Sequence, residues 1–257
     1  MSHNDVLDAA VTAGSSIGQA VGMFMLHPEN LAESVAAGYQ NPLAGYVAGR
    51  GGVLGEATGV AVSSVFVVFE PTSLRSLWEE GVAVRGAMGA AEVYWEQAAG
   101  FARRHLAGGE GLDRIAALGE KIVAATPDGG LPLYAGWRTM PLDEDPPART
   151  LQVMHVLREL RAGVHFNALT ISGITPVEAH MLNKGHQYAA MFGWSEPFAD
   201  GADKKDRYAE VEEATNRRMA EIFAAALTPD EADELARLSA AALESLKASA
   251  ATLPANG

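Results

Sequence analysis

Residues 151–173, LQVMHVLRELRAGVHFNALTISG, hold the most informative pattern in the chain. On a helical wheel of about 100° per residue the segment separates into two faces. One face is an apolar stripe made by Val153, Val156, Leu157, Leu160 and Val164. The spacing therefore predicts a helix that packs this stripe into a core.

A second face of the same segment carries cations. Arg158, Arg161 and His165 follow i, i+3, i+7 spacing, so their side chains can meet one anion or one acidic helix. In one interpretation, both arginines pair with surface carboxylates and His165 is a satisfied, half-buried histidine. In the other, Arg161 and His165 line a ligand pocket, and His165 acts as an acid or base near neutral pH.

A helix-turn-helix outline follows this segment. Gly173 marks a turn, and Thr175-Pro176-Val177-Glu178 is a capping box that starts a second helix, expected over residues 176–190. A reading helix of this kind enters the major groove of DNA. Its single unconditional cation is Lys184, however, and DNA affinity depends on phosphate neutralisation. We therefore expect the outline to describe a fold rather than a DNA contact, and nucleic acid is not an expected partner.

The composition narrows the class of protein. The chain has 257 residues, 48% hydrophobic and 20% charged, which is typical of a globular domain with a sizeable core. Its 19 basic and 32 acidic residues give a formal net charge of −13, which repels phosphate backbones. It has no cysteine, which excludes disulfides, thiolate metal sites and a cysteine nucleophile.

Targeting signals are not evident. The first 49 residues contain no lysine or arginine, unlike a secretory or transit peptide. The longest apolar run, residues 60–69, is too short to span a bilayer as a helix. We expect a cytoplasmic protein with no membrane partner.

Helix-start signals recur along the chain, including a second capping box at Thr228-Pro229-Asp230-Glu231. No strand pair with a hairpin turn is evident, so we predict an all-α fold. The β-branched run at 60–69 is ambiguous between strand and helix, and we favour a helix. Residues 126–150 contain five prolines, which predicts a connection between two helical halves. They separate an N-terminal helical half, residues 1–125, from a helix-turn-helix-like half, residues 151–257, although each half can need the other for a core.

Two glycine-containing motifs match catalytic patterns poorly. Residues 14–18 fit G-x-S-x-G, but a helical stretch precedes them where a nucleophile elbow needs a strand. Residues 49–55 look like a phosphate loop without matching either standard form, and a glycine-rich helix entry is the safer interpretation. Arg50 within them is retained as a candidate ligand for a carboxylate. No histidine pair has metal-binding spacing, so no metal site is predicted, and a cofactor is not identified.

The chain resembles the SalK-like proteins of actinobacteria, often described as helix-turn-helix and largely of unknown function. The most specific piece is Leu157-Arg158-Glu159-Leu160-Arg161-Ala162-Gly163-Val164-His165, where the family looks like Leu-Arg-Glu-x-Arg-Gly-Asp-x-His. Further matching pieces are Tyr46–Arg50, Val53–Gly55, Phe66–Pro71, Trp78, Gly130–Leu133, Gly173, Pro176, Glu178-Ala179, Gly193-Trp194 and Glu213–Asn216. The resemblance implies an all-helical chain whose second half looks like a degenerate MarR-type winged helix.

The chain also departs from that pattern. The family's Gly-Asp before the histidine is Ala162-Gly163 here, and the Asp of its Thr-Asp pair is Asn216. An Ala-Pro pair is replaced at Gly51-Gly52. If those acids serve a shared site, this member has altered or lost the role; the departures equally fit a specialised branch.

These observations favour a small-molecule-binding protein of specialised metabolism with an Arg/His-lined apolar pocket. The predicted ligand-binding residues are Arg50, Arg158, Arg161, Trp194 and Tyr46, with His165 as the catalytic candidate, and whether the protein is an enzyme stays open. The alternative is a ligand-responsive, MarR-like transcription regulator. A third hypothesis is a partner protein, as a homodimer, in which the leucines of residues 230–247 form either a dimer surface or ordinary core packing.

Overall fold

The structure is a computed structural model that describes residues 3–251 and confirms the all-α prediction. Within that range it contains twelve α-helices, two short 3-10 turns and no strand. The helices are α1 His3–Met25, α2 Pro28–Ala36, α3 Pro42–Gly51, α4 Gly59–Phe66, α5 Pro71–His105, α6 Leu112–Ala125, α7 Pro132–Trp137, α8 Pro146–Ser172, α9 Pro176–Asn183, α10 His186–Met191, α11 Lys205–Ala226 and α12 Pro229–Ala251.

Local sequence signals set many of the helix starts. Both predicted capping boxes form: the Thr175 hydroxyl accepts from the backbone N–H of Glu178, whose carboxylate accepts from the N–H of Thr175 in return. Thr228 and Glu231 make the same exchange at the start of α12. These pairs satisfy backbone donors that the first helical turn leaves without partners.

Helix α8 lies at the centre of the fold and packs against α1, α5, α6, α7 and α11. From Leu151 to Leu160 every side chain is buried except that of Arg158. The largest cluster of buried apolar side chains runs from Val6 to Leu246 and takes in both predicted halves. The predicted connection at 126–150 contains α7 and the start of α8. The division of the chain at 126–150 stays a prediction about folding units.

The apolar run at 60–69 is a helix for most of its length, as favoured. Helix α4 ends at Phe66 because Val67 has a positive φ of 45°, which a continuing right-handed α-helix does not allow. The remaining residues form a connection to α5. Helix α5 is itself broken near its middle, at Arg85 and Gly86, where the backbone is non-helical.

The second helix of the helix-turn-helix outline is shorter than predicted. Instead of continuing from 176 to 190 it stops at Asn183, and α10 begins at His186. Gly185 between them has φ of 80°, a value that ends an α-helix and that glycine adopts without strain. Because residues 3–251 contain no strand, that range also lacks the β-hairpin that a winged helix would place beside its reading helix.

The glycine-rich residues at 49–55 end a helix and do not begin one. They close α3 and continue into a 3-10 turn packed on α5. A Cβ atom on Gly52 would lie 2.1 Å from the carbonyl oxygen of Ala87, and one on Gly49 would lie 2.8 Å from Tyr94. Glycine at positions 49 and 52 therefore lets α3 and the turn after it pack closely on α5.

The leucines of α12 are core residues. Leu235, Leu238, Leu243 and Leu246 are all buried within the single chain, so they are not available as a dimer surface. A homodimer would need another face and stays a prediction. Across the part of the chain that is described, no single helix has the length and apolar character to cross a membrane, although α1 and α2, bent by 44° at their junction, meet both criteria as a pair.

Candidate functional site

A buried ion group lies where α3 meets α8. The Arg50 guanidinium, on a residue only 1% exposed, donates from Nε and Nη2 to the two carboxylate oxygens of Glu159, at 2.8 and 2.9 Å. Arg158 adds a third bond, from its Nη1 to Oε1 of Glu159 at 2.7 Å. The Arg50 guanidinium also lies over the ring of Phe66, 4.7 Å from its centre. One carboxylate is thus shared by two guanidinium groups.

The charges of this group do not cancel. Burial by itself would raise the pKa of Glu159, but Arg50 and Arg158 hold it well below its usual range, so Glu159 is ionised. His155, one turn earlier and fully buried, has its pKa lowered to about 3 by burial and is neutral at pH 7. Two positive charges therefore face one negative charge, and the group carries one positive charge in excess.

The excess cation opens onto a cleft. The Arg158 side chain is 25% exposed, and its Nε and Nη2 have no hydrogen-bond partner in the described part of the chain. Arg158 lines an apolar cavity of about 290 Å³ between α1, α3, α8, α9 and α10. The walls of this cavity include Tyr46, Arg50, Phe69, His165, Leu169, His180, Tyr188, Met191, Phe192 and Tyr208.

A second cavity continues from the first. It measures about 610 Å³, is more polar, and lies between α1, α8 and α11. The two cavities share six lining residues, namely Gly18, Arg158, His165, Phe166, Asn183 and Tyr188. We call the two cavities together the cleft, and Arg158 and His165 lie where they join.

His165 lies at this junction, and one of its two ring nitrogens has polar neighbours within the protein. Its Nδ1 lies 3.4 Å from the Thr215 hydroxyl oxygen and 3.6 Å from Oε1 of Glu212. The Thr215 hydroxyl already donates to the carbonyl of Val211, so both neighbours act as acceptors toward Nδ1. This arrangement favours a proton on Nδ1 and leaves Nε2 as an acceptor. Burial lowers the pKa of His165, so the imidazole is neutral at pH 7.

Arg161 meets an acidic helix, one of the two partners that its spacing allows. Its Nη2 donates to Oε2 of Glu212 at 3.2 Å and to Oδ1 of Asn216 at 3.1 Å, both on α11. A Cβ on Gly14 would lie 3.2 Å from the Arg161 side chain, so α1 closes over it. Arg161 is therefore balanced by Glu212, whereas among residues 3–251 Arg158 pairs with no acid except Glu159, which it shares with Arg50.

The two aromatic residues predicted for the site, Tyr46 and Trp194, lie in different places. Tyr46 lies in the cleft, and its hydroxyl accepts from Nη1 of Arg50 at 3.5 Å. Trp194 lies outside both cavities, and its indole N–H donates to the carbonyl of Val68 at 2.9 Å. Trp137 is fully buried and donates to the carbonyl of Arg50. Of the six predicted site residues, five line the cleft and Trp194 does not.

Several residues of the site were not predicted. Glu159 lies 109 positions from Arg50, and no local pattern connects the two. Tyr188 and Tyr208 enter the cleft from α10 and α11, beyond any spacing rule that starts from α8. His180 lines the cleft as well, and its Nε2 lies 2.7 Å from the carbonyl oxygen of Val68.

Two positions at which the chain departs from the SalK-like pattern, Gly163 and Asn216, make specific local contacts. A Cβ on Gly163 would lie 2.7 Å from a methyl group of Leu131, so an aspartate there needs Leu131 to move. Asn216 uses its amide oxygen as an acceptor for Arg161, in the place where the pattern has a carboxylate. Asn216 therefore lies beside the charged face of α8, whereas Gly163 lies on the opposite side of that helix, in a separate cavity with Leu131.

Comparisons with known proteins give one match. A family model described as "Helix-turn-helix family" matches residues 10–253, nearly the whole chain. No curated protein and no solved structure matches the sequence.

Proposed function

We propose, from the premise that this chain belongs to the helix-turn-helix family, that it binds a small organic anion with an apolar body in the cleft beside α8. The cation of Arg158 receives the acidic group, and the aromatic and aliphatic walls receive the rest. In this proposal the two helices of the helix-turn-helix outline form part of the walls of a ligand-binding site. The finer resemblance to SalK-like proteins, and with it a role in specialised metabolism, belongs to the same proposal.

The observation that carries the proposal is the charge balance around Glu159. The single carboxylate already accepts two bonds from Arg50 and one from Arg158. Partly desolvated guanidinium groups gain most from bidentate pairing with a carboxylate or phosphate. Arg158 still offers its Nε and Nη2, so an anion in the cleft would complete its pairing and neutralise the excess charge.

The apolar surroundings support a ligand with a hydrophobic part. The rings of Phe69 and Phe192 pack edge to face at 4.5 Å beside Tyr46. Leu43 and Met191 are substantially exposed and also line the cavity. Binding sites of this kind combine an apolar surface with a few fixed polar groups.

His165 contributes a neutral acceptor to the same place. With its proton on Nδ1, the imidazole directs the Nε2 lone pair away from Glu212 and can accept a hydrogen bond from a ligand hydroxyl. The proposal includes no reaction, and an acid–base role for His165 is a hypothesis that the following variant tests. His165→Ala would lower ligand affinity, and loss of turnover with affinity retained would assign chemistry to the imidazole.

Ligand binding can be tested with the aromatic anion 8-anilinonaphthalene-1-sulfonate and a panel of aromatic and aliphatic carboxylates. Fluorescence titration and thermal shift measure the affinity. We expect Arg158→Gln to weaken anion binding roughly tenfold or more, consistent with the loss of a charge-assisted hydrogen bond. Arg217→Gln is the matched control, since Arg217 is 62% exposed on α11, pairs with Glu213 and does not line the cleft.

A steric variant gives an independent test. A Cβ on Gly18 meets no atom within 4 Å, because Gly18 faces the cleft. Gly18→Leu would therefore fill the cleft while leaving the protein folded, and we expect it to abolish binding. Equal affinity in wild type, Arg158→Gln and Gly18→Leu would refute the proposal. Native mass spectrometry of protein from its own cells would then reveal whether any ligand co-purifies.

A DNA-binding regulator is the second candidate, favoured by the family match and by the α8–Gly173–α9 outline. Helix α9 has only eight residues, and Glu178 in it is paired with Lys204. Lys184 and His186 are the exposed basic side chains near its end. Fluorescence anisotropy with genomic fragments at low salt decides between the two: sequence-selective binding would favour the regulator, and no binding even there would exclude it.

A further inference from the structure

Three metal-ligating side chains converge on the side of the fold where α2 meets the end of α5. They are His27, Glu29 and His105, and one ligand atom from each lies within 4.8 Å of the other two. We propose that these residues bind a divalent transition-metal ion of the Zn²⁺ class. The proposal is independent of the cleft beside α8, since none of the three residues lines it.

The distances are close to those of a metal site. Nε2 of His105 lies 3.0 Å from Oε2 of Glu29, and Nδ1 of His27 lies 3.9 Å from the same oxygen. In a tetrahedral zinc site with metal–ligand bonds of about 2.0–2.1 Å, ligand atoms lie roughly 3.3–3.5 Å apart. Small side-chain rotations therefore bring the three atoms around one ion.

The histidine rings are held in place by their surroundings. The ring centre of Phe101 lies 4.4 Å from that of His105 and 5.1 Å from that of His27. Nδ1 of His105 lies 2.9 Å from the Ser249 hydroxyl of α12. A partner on one ring nitrogen orients the other toward a metal, which is the usual support for a metal-bound histidine.

The local sequence explains how His27 and Glu29 come together. His27 is the N-cap residue of α2, and its Nδ1 accepts from the backbone N–H of Glu29 at 3.4 Å, a long bond that a metal can displace. Pro28 begins the helix, so Glu29 lies in its first turn on the same side as the cap.

Arg104 is a cation that would compete with a metal ion for the carboxylate of Glu29. Its Nε lies 3.2 Å from Oε2 of Glu29, and its Nη2 lies 2.8 Å from Oε1 of Glu33. The Arg104 side chain is 42% exposed and can remain with Glu33 when Glu29 turns to a metal. Without an ion, the same contacts form a salt-bridge network, which is the alternative that the experiment must separate from a metal site.

The donor set selects the ion. Two imidazole nitrogens and one carboxylate suit Zn²⁺, Co²⁺ or Ni²⁺, whereas Mg²⁺ and Ca²⁺ prefer all-oxygen sites. Three protein ligands leave a fourth position open to water or to another small ligand.

The test uses the full chain, treated with chelator and dialysed. Co²⁺ is added while visible d–d absorption is followed, and Zn²⁺ affinity is measured by calorimetry. We expect one equivalent to bind, and His105→Asn and Glu29→Gln to weaken binding by roughly tenfold or more. His186→Asn is the control, because His186 is exposed and distant in sequence from the site. No binding to the wild-type chain, or equal losses in His186→Asn and His105→Asn, would overturn the proposal.

A variant that is expected to tighten metal binding distinguishes the loss of a ligand from the loss of the fold. Arg104→Gln removes the cation that competes for Glu29, so we expect it to tighten Zn²⁺ binding severalfold. A misfolded chain would not give that result. Unchanged or weaker binding in Arg104→Gln, with circular dichroism like that of wild type, would favour the salt-bridge network over the metal site.

Discussion

At the scale of single residues, the most demanding contacts are those of Glu159. A carboxylate taken fully out of water is stable only when its charge and lone pairs are matched. Arg50 and Arg158 supply that match from α3 and α8. The same residues anchor α3 to the central helix and provide the cation of the proposed ligand site, so stability and binding depend on one group.

Glu159→Gln should destabilise the protein by about 3–5 kcal/mol, because it leaves the Arg50 guanidinium buried without a counter-charge. Urea denaturation followed by circular dichroism measures the change. The double variant Arg50→Met, Glu159→Leu should recover much of the loss, since it removes both buried charges. A double variant as unstable as the single one would contradict this account.

His155 should make the protein sensitive to acid. Its ring is fully buried among Tyr94, Trp95 and Trp137, and neither nitrogen has a hydrogen-bond partner among the described residues. Burial lowers the pKa of His155 to about 3 in the fold, from an ordinary value of about 6.5. Between these values the unfolded chain binds the extra proton, so the free energy of unfolding falls as the pH drops from about 6.5 toward 3.

His155→Leu should flatten that dependence by removing the titrating group, with little loss of stability at pH 7. Denaturation curves of wild type and variant at several pH values between 7 and 4 measure the difference. All other ionisable groups are the same in the two proteins, so only the difference between the two slopes belongs to His155. Parallel slopes would show that the imidazole is not held neutral by burial.

At the scale of elements, glycines inside helices mark two different environments. Gly18 in α1 faces the cleft, and a Cβ there would touch nothing within 4 Å. Gly81 in α5 lies against α3, and a Cβ there would lie 2.4 Å from the carbonyl oxygen of Ala44. A helix interior prefers alanine to glycine, so the two positions should respond with opposite sign.

Gly18→Ala should raise the free energy of unfolding by about 0.5–1 kcal/mol through reduced backbone entropy in the unfolded chain. Gly81→Ala should lower it by about 1–3 kcal/mol, because α3 and α5 must move apart. Thermal and urea unfolding of both variants measure these changes. A destabilised Gly18→Ala would show that the cleft is tighter than its open geometry indicates.

At the scale of the whole molecule, the two halves share one core. Helix α1 packs on α11 and α12, and α5 packs on α8, so elements from opposite ends of the sequence cover each other. The largest apolar cluster extends over both halves. The buried ion group beside the cleft also needs the complete chain, because Arg50 and Arg158 come from different halves.

Fragments of residues 1–125 and 126–257 should each fail to unfold cooperatively when produced alone, since each would expose the apolar surface that the other covers. Far-UV circular dichroism and denaturant titration of the fragments, alone and mixed, measure this. Recovery of a cooperative transition on mixing would support a shared core. A sharp transition in either isolated fragment would identify it as an independent domain.

The sequence by itself determined the helical class, both capping boxes, the apolar stripe of α8, and the charged face with Arg158, Arg161 and His165. Each of these depends on residues within a turn or two of one another, where hydrogen bonds and helical spacing act directly. Only the tertiary structure decided that Arg50 meets Glu159, that the second outline helix breaks at Gly185, and that His27, Glu29 and His105 come together. Contacts between residues far apart in sequence depend on the path of the whole chain, and no local pattern carries that information.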